Sequence, residues 1–181
     1  MEVKFKKITE DKLEKIMNWR MMPEVTKYMY TDPKLNLIEQ KKWFYDIQHD
    51  PTVKYWIVEV NGLDIGVINL SNIDLKNLNC SWGYYIADLN FRGKGLAKII
   101  ECNIYDYVFY KLCLNKIWCE VLSFNKKVVE LHEKYGSEVE GVFKQHILKN
   151  GRFYDVIRMA ITKEKWDRIR ANFDYQYIEI E

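Results

Sequence analysis

The sequence is short of the residues that build metal centres. It has three histidines, His49, His132 and His146, far apart in the chain, and four cysteines, Cys80, Cys102, Cys113 and Cys119, none in a Cys-x-x-Cys pair. All four cysteines lie in apolar stretches, so they read as buried free thiols, and no metal site is expected. An excess of one charge is also missing. The 28 basic and 26 acidic residues leave a net charge of +2, too little for the field that nucleic acid or an anionic membrane calls for. No apolar run approaches the roughly 20 residues that cross a bilayer. The N-terminus, MEVKFKKITEDKLEK, is charged where a signal peptide needs an apolar core. A cytoplasmic protein is the expectation. No repeat, low-complexity tract or Pro/Gly/Ser linker divides the chain, so its 181 residues are expected to form one domain, 1–181.

Aromatic residues are abundant: 15% of the chain, with 13 Tyr and 6 Trp. Many must be core, and others suit a site for a planar or sugar-like ligand, because an aromatic face joins apolar area to a polar edge.

Periodicity and turn residues order the chain. EVKFKKI (2–8) alternates as a strand, and TEDKLEKIMNWR (9–20) has helical spacing that Pro23 interrupts. NLIEQKKWFYDIQ (36–48) opens with Asn36 and Glu39 in a capping-box pattern. Strands at 52–60 and 63–71 flank Asn61–Gly62, a type I′ hairpin signal. CSWGYYIA (80–87) is a strand, 95–112 a helix, and KIWCEVL (116–122) a buried strand carrying one acid, Glu120. NKKVVELHEKY (125–135) is a helix with Asn125 as N-cap and Gly136 as its stop. A second hairpin turns at Asn150–Gly151, KEKWDRIRANF closes the fold as a helix, and the last residues are expected to be a tail. The order predicts an α/β (α+β) fold. Its mixed, twisted sheet has about seven strands, with helices on both faces and a right-handed parallel crossover from 80–87 to 116–122.

Between that strand and helix lies Arg92-Gly93-Lys94-Gly95-Leu96-Ala97. Glycines let the backbone approach a ligand, a helix N-terminus presents unpaired N–H groups, and the cations add charge, so the loop suits a phosphate as well as a plain turn. It is neither a P-loop nor a GxGxxG loop. The hexapeptide resembles the (Gln/Arg)-x-x-Gly-x-(Gly/Ala) signature of the GNAT superfamily of N-acetyltransferases. NKKVVELHEKYGSEVEG is similar to that family's second motif, and the element order matches throughout. The resemblance implies that acetyl-CoA wedges between the strands at 80–87 and 116–122. Its pantetheine would pair with backbone near Tyr85, Ile86 and Ala87, and its pyrophosphate would sit on Arg92, Gly93, Lys94, Gly95, Leu96 and Ala97. Asn125 would bond the pantetheine arm, and Lys127 or Lys134 would reach CoA phosphates.

NWRMMPEVTKYMYTDPKLNLIEQKKWF (18–44) resembles the acetyltransferases of pseudaminic acid biosynthesis, and the similarity continues through GVINLSNIDLKN and VEGVFKQHILKNGRFYDVI. Those enzymes acetylate the 4-amino group of UDP-4-amino-4,6-dideoxy-N-acetyl-β-L-altrosamine. The implied acceptor is thus a small-molecule amine, a UDP-amino sugar. Arg20 would pair with its diphosphate or uracil carbonyl, Met29, Tyr30 and Trp43 would pack on uracil or the sugar, and Ser71, Asn72 and Tyr85 would line the sugar pocket. Trp19, Met29 and Trp43 also fit a plain core role.

Acetyl transfer needs a neutral amine at the thioester and a proton for the leaving thiolate. Glu120 is the candidate base, on the expectation that burial makes it a better proton acceptor. His132 occupies the position where many family members carry an acidic Tyr, and so is the candidate acid; Tyr84, Tyr85 or water are alternatives. Rival acceptors are spermidine and the N-termini of ribosomal proteins, and a non-catalytic CoA- or nucleotide-sugar-binding module is a further alternative. A homodimer is left open.

Overall fold

The computed structural model describes residues 1–181. Its eight strands form one mixed sheet in the order β6-β7-β5-β4-β3-β2-β1-β8. The chain divides into two compact units, one made of Met1–Ile73, Trp82–Lys94 and Ile178–Glu181, the other of Asp74–Ser81 and Gly95–Tyr177. No helix is long and apolar enough to cross a membrane.

In the first unit, β1 (Val3–Lys7) pairs antiparallel with β2 (Lys54–Val60), which pairs antiparallel with β3 (Leu63–Asp74). The β2–β3 turn is the expected two-residue one, with Asn61 at φ 49° and Gly62 at φ 80°. Helix α1 (Leu13–Met21) stops because Met22 precedes a proline and takes an extended ψ of 132°. Pro23 then opens the short α2 (Pro23–Thr26). Helix α3 (Leu37–His49) starts at a complete capping box: the Asn36 side chain accepts from the Ile38 and Glu39 N–H groups, and Glu39 accepts from the Asn36 N–H. These helices place Trp19, Trp43, Phe44 and Ile47, with Tyr55 and Tyr85 of the sheet, against a core of Ile8, Leu13, Ile16, Ile57 and Val67.

The sequence read the C-terminal residues as a tail; the structure makes them a strand. β8 (Glu179–Ile180) runs parallel to β1, Ile178 is buried, and the Trp56 Nε1–H donates to the Glu181 carbonyl at 2.6 Å. Two paired residues leave no periodicity to read, so the sheet has eight strands where about seven were expected.

In the second unit, β5 (Lys116–Leu122) lies beside β7 (Arg152–Thr162), which pairs with β6 (Glu138–Lys149) through the Asn150–Gly151 turn. The parallel ladder from β4 (Asn79–Ile86) to β5 runs only from Asn79↔Lys116 to Ser81↔Trp118. Helix α4 (Leu96–Asp106) buries eight of its residues and then widens into a π-turn over Tyr107–Lys111, so the single helix expected over 95–112 is shorter. The widening begins after Asp106, whose carboxylate accepts from Trp166, Arg170 and Tyr175. Asn125 precedes α5 (Lys126–Lys134) as expected, but its side chain makes no capping hydrogen bond. α5 ends in a Schellman motif: the Ser137 N–H donates to the His132 carbonyl and the Gly136 N–H to that of Glu133. α6 (Lys163–Ile169) closes the unit.

Candidate functional site

The loop that joins β4 to α4 has the backbone its glycines suggested. Gly93 and Gly95 lie at φ 76° and 80°, and a Cβ built on either would meet nothing within 4 Å. Conformation therefore requires glycine here, and the space above it is open to a ligand. Gly95 immediately precedes the first turn of α4, whose leading N–H groups lack partners within the helix and whose dipole favours an anion. Lys94 is exposed, with Nζ 5.4 Å from the Phe91 ring centroid. Arg92 departs from the expectation of a phosphate-facing cation. Its Nε and Nη2 donate to the Ile86 carbonyl at 3.0 and 2.8 Å, and Nη2 also reaches the Glu24 carbonyl at 3.3 Å. A planar fork with two parallel donors suits a backbone carbonyl, and Arg92 shapes the loop by tying it to β4 and α2.

All seven residues assigned to the acceptor, Arg20, Met29, Tyr30, Trp43, Ser71, Asn72 and Tyr85, belong to the first unit. Arg20, in the last turn of α1, donates from Nη2 to Thr31 Oγ1 at 3.1 Å. Its Nη1 is buried and has no hydrogen-bond partner within the protein. The Arg20 charge acts on the phenols of Tyr55 and Tyr85, both of which burial pushes above the ordinary tyrosine value. Trp43 meets Tyr55 edge to face at 5.2 Å. Met29 and Tyr30 are half-buried after α2; Ser71 and Asn72 lie on β3, Asn72 with a left-handed φ of 50°.

Glu120 and His132 belong to the second unit but to opposite faces of β5. Glu120 stands in register with Arg158 of β7, whose Nη2 and Nε contact its Oε1 at 2.7 and 3.1 Å. The Arg158 guanidinium lies 3.6 Å above the Trp118 ring. The isolated acid expected in KIWCEVL is therefore an ion-paired one. Cys119, the preceding residue, points to the other face, where its side chain bonds that of His132. His132 is buried, with Nδ1 3.1 Å from Oε1 of the fully buried Glu101. Glu101 Oε2 accepts from the Tyr105 hydroxyl at 3.0 Å, and that hydroxyl lies 3.1 Å from Ser137 Oγ. Burial works against the imidazolium, but the Glu101 carboxylate and the Cys119 contact outweigh it and raise the His132 pKa to about 10.

Asn125 is half-buried, and Lys127 and Lys134 are exposed on α5. Sequence reasoning missed Arg158, Glu101 and Tyr55. The signal for the first two was legible: Arg158 is the lone cation in VIRMAI and Glu101 the lone acid in KIIECNIY, and a charge inside an apolar run needs a partner.

A model of the acetyltransferase (GNAT) domain family matches residues 2–138. Acetyltransferase PseH of Campylobacter jejuni is 30% identical over 135 residues, covering 73% of this chain and 82% of that protein. The spermidine N(1)-acetyltransferase of Escherichia coli K12 is 25% identical over 164 residues, covering 91% and 88%. Among solved structures, the spermidine N-acetyltransferase of Vibrio cholerae in complex with CoA and spermine superposes with a TM-score of 0.86 at 26% identity, covering 91% of this chain and 98% of that one.

Proposed function

The chain belongs to the GNAT family of N-acetyltransferases, and from that premise we propose that its acceptor is the 4-amino group of a UDP-4-amino-4,6-dideoxy sugar, acetylated directly by acetyl-CoA in a ternary complex. The observation that carries this reading is the Arg20 Nη1, a buried cationic donor without a protein acceptor. Such a group costs free energy until an oxygen reaches it, and a nucleotide sugar brings diphosphate and uracil oxygens. Tyr55 and Tyr85, on whose phenols the Arg20 charge acts, and Trp43, edge to face with Tyr55, offer apolar faces with polar edges.

The spermidine acetyltransferases, which match over more of the chain, support a polyamine as the second reading. A polyamine needs carboxylates, and an Arg20 with a spare donor repels it. Of the nearby acids, Glu39 is taken up by the capping box, and Glu24 and Asp32 are exposed.

The residues assigned to acetyl-CoA fit it on two counts. Gly93 and Gly95 leave the space that a close phosphate requires, and α4 supplies the N-terminal N–H groups. Tyr85, Ile86 and Ala87 would present backbone to the pantetheine, with Asn125, Lys127 and Lys134 as further contacts. Glu120 and His132 stand on opposite faces of β5, the strand to which we assign the transfer chemistry. Glu120 accepts the proton of the attacking amine, directly or through water, and Arg158 fixes its carboxylate. His132 supplies a proton to the leaving thiolate.

Arg20→Met is expected to raise KM for the nucleotide sugar about 30-fold, the equivalent of ~2 kcal/mol for a charge-assisted hydrogen bond. KM for acetyl-CoA should stay within twofold, and initial-rate kinetics separate the two. An unchanged sugar KM would remove Arg20 from the acceptor site.

A further inference from the structure

We propose that Glu101 is a positioning residue for this reaction: its buried carboxylate, 3.1 Å from Nδ1 of the buried His132, orients that ring and makes the pair a stored proton on the face of β5 opposite Glu120. The inference rests on the reading of His132 as the acid that serves the leaving thiolate.

The geometry is built for a fixed charge. Glu101 has no exposed surface and His132 almost none. One carboxylate oxygen faces the imidazole and the other accepts from Tyr105, itself held by Ser137. A buried carboxylate needs a positive partner, and His132 Nδ1, 3.1 Å from Oε1, stands where that partner must be, at ion-pair distance and without hydrogen-bond geometry. The titratable groups that face the pair are Tyr105 and Cys102 from α4, Cys119 from β5 and Tyr135, which follows the last residue of α5. None of them is a cation; the Glu101 carboxylate is the largest influence that favours the proton on His132, with the Cys119 contact beside it. An unpartnered imidazole is mostly neutral at pH 7–8 and would hold no proton to give. During transfer the His132 N–H proton passes to the thiolate sulfur as the carbon–sulfur bond breaks. The ring then regains a proton from solvent.

The sign of the pH dependence follows from the raised value. The stabilisation from the pair is complete below the ordinary histidine value of 6.5 and is lost as pH rises through about 10.

The test reads the ring itself. In 15N-labelled wild-type protein at pH 8, long-range 1H–15N correlation should show both His132 nitrogens protonated, the signal being assigned by its absence from His132→Gln. A neutral ring at pH 8 overturns the proposal, and this arm needs neither a variant at Glu101 nor any acetyltransferase activity. In Glu101→Gln the titration midpoint should fall by about two pH units or more. The alkaline limb of kcat should move down with it while KM for acetyl-CoA stays within twofold. An alkaline limb unchanged in Glu101→Gln, beside a protonated wild-type ring, would make the pair a structural one and overturn the proposal. If no amine acceptor is found at all, the acetyltransferase reading fails while the ring measurement still stands.

Discussion

Gly66→Ala is expected to lower the unfolding free energy by about 4 kcal/mol, or to prevent folding. A Cβ at this position would lie 2.1 Å from the Tyr85 carbonyl oxygen and 3.0 Å from the Ile86 Cα. Both neighbours are backbone, so no side chain can swing aside. Relief would require β3 and β4 to part, breaking the bonds from the Ala87 and Asp88 N–H groups to the Ile65 carbonyl at 2.8 and 3.2 Å. Sheet registers do not slide by fractions, so the strain has no gradual outlet. The same backbone, Tyr85 to Ala87, is the segment assigned to pantetheine. A folded remnant of the variant should therefore bind CoA at least about tenfold more weakly, since one misplaced hydrogen bond is worth ~1.4 kcal/mol. Urea denaturation and calorimetric CoA titration read the two effects. A variant within about 1 kcal/mol of wild type would mean that β3 and β4 yield more easily than packed backbone does.

The second large effect is catalytic. Glu120→Gln is expected to lower kcat about 1000-fold at neutral pH, the mid-range for a lost general base. KM for acetyl-CoA should change less than twofold. The substitution keeps the shape of the side chain and removes its charge and its basicity. Arg158 stays in place because its guanidinium lies on Trp118, and Phe143 is 5.6 Å away on the same face. The control is Arg158→Met. If Glu120 is the base and Arg158 its support, the arginine variant loses less kcat than the glutamine variant. If Glu120 serves only to partner Arg158, the two variants lose stability equally and kcat barely moves.

What was legible in the sequence follows from the range of the interactions. The two Asn–Gly turns, the Asn36–Glu39 capping box, the break at Pro23 and the stop at Gly136 depend on residues within a turn of one another, and each forms as read. The loop glycines were legible for the same reason, because a left-handed φ is a local property. Arg92 was read as a ligand-facing cation from its position in a motif; its carbonyl partners, Ile86 and Glu24, are fixed by tertiary structure. Glu120 and Arg158 are 38 residues apart and meet only through the β5–β7 register. Glu101 and His132 meet only when α5 packs beside α4. The strand β8 is too short for any pattern. Of the acceptor residues, Arg20 was legible as a cation among aromatics, but the unpaired state of its Nη1 depends on how α1 docks on the core.

The central claim is the identity of the acceptor. The most direct measurement is acetyl-CoA consumption with UDP-4-amino-4,6-dideoxy-N-acetyl-β-L-altrosamine, spermidine and a ribosomal-protein N-terminal peptide side by side, with products identified by mass and NMR. A site that presents a buried cationic donor should reject acceptors that lack an oxygen to meet it. The account predicts one acetyl group on the sugar 4-amine, with kcat/KM for the nucleotide sugar about 100-fold or more above that for spermidine. Preferential acetylation of spermidine, with the nucleotide sugar untouched, would contradict it.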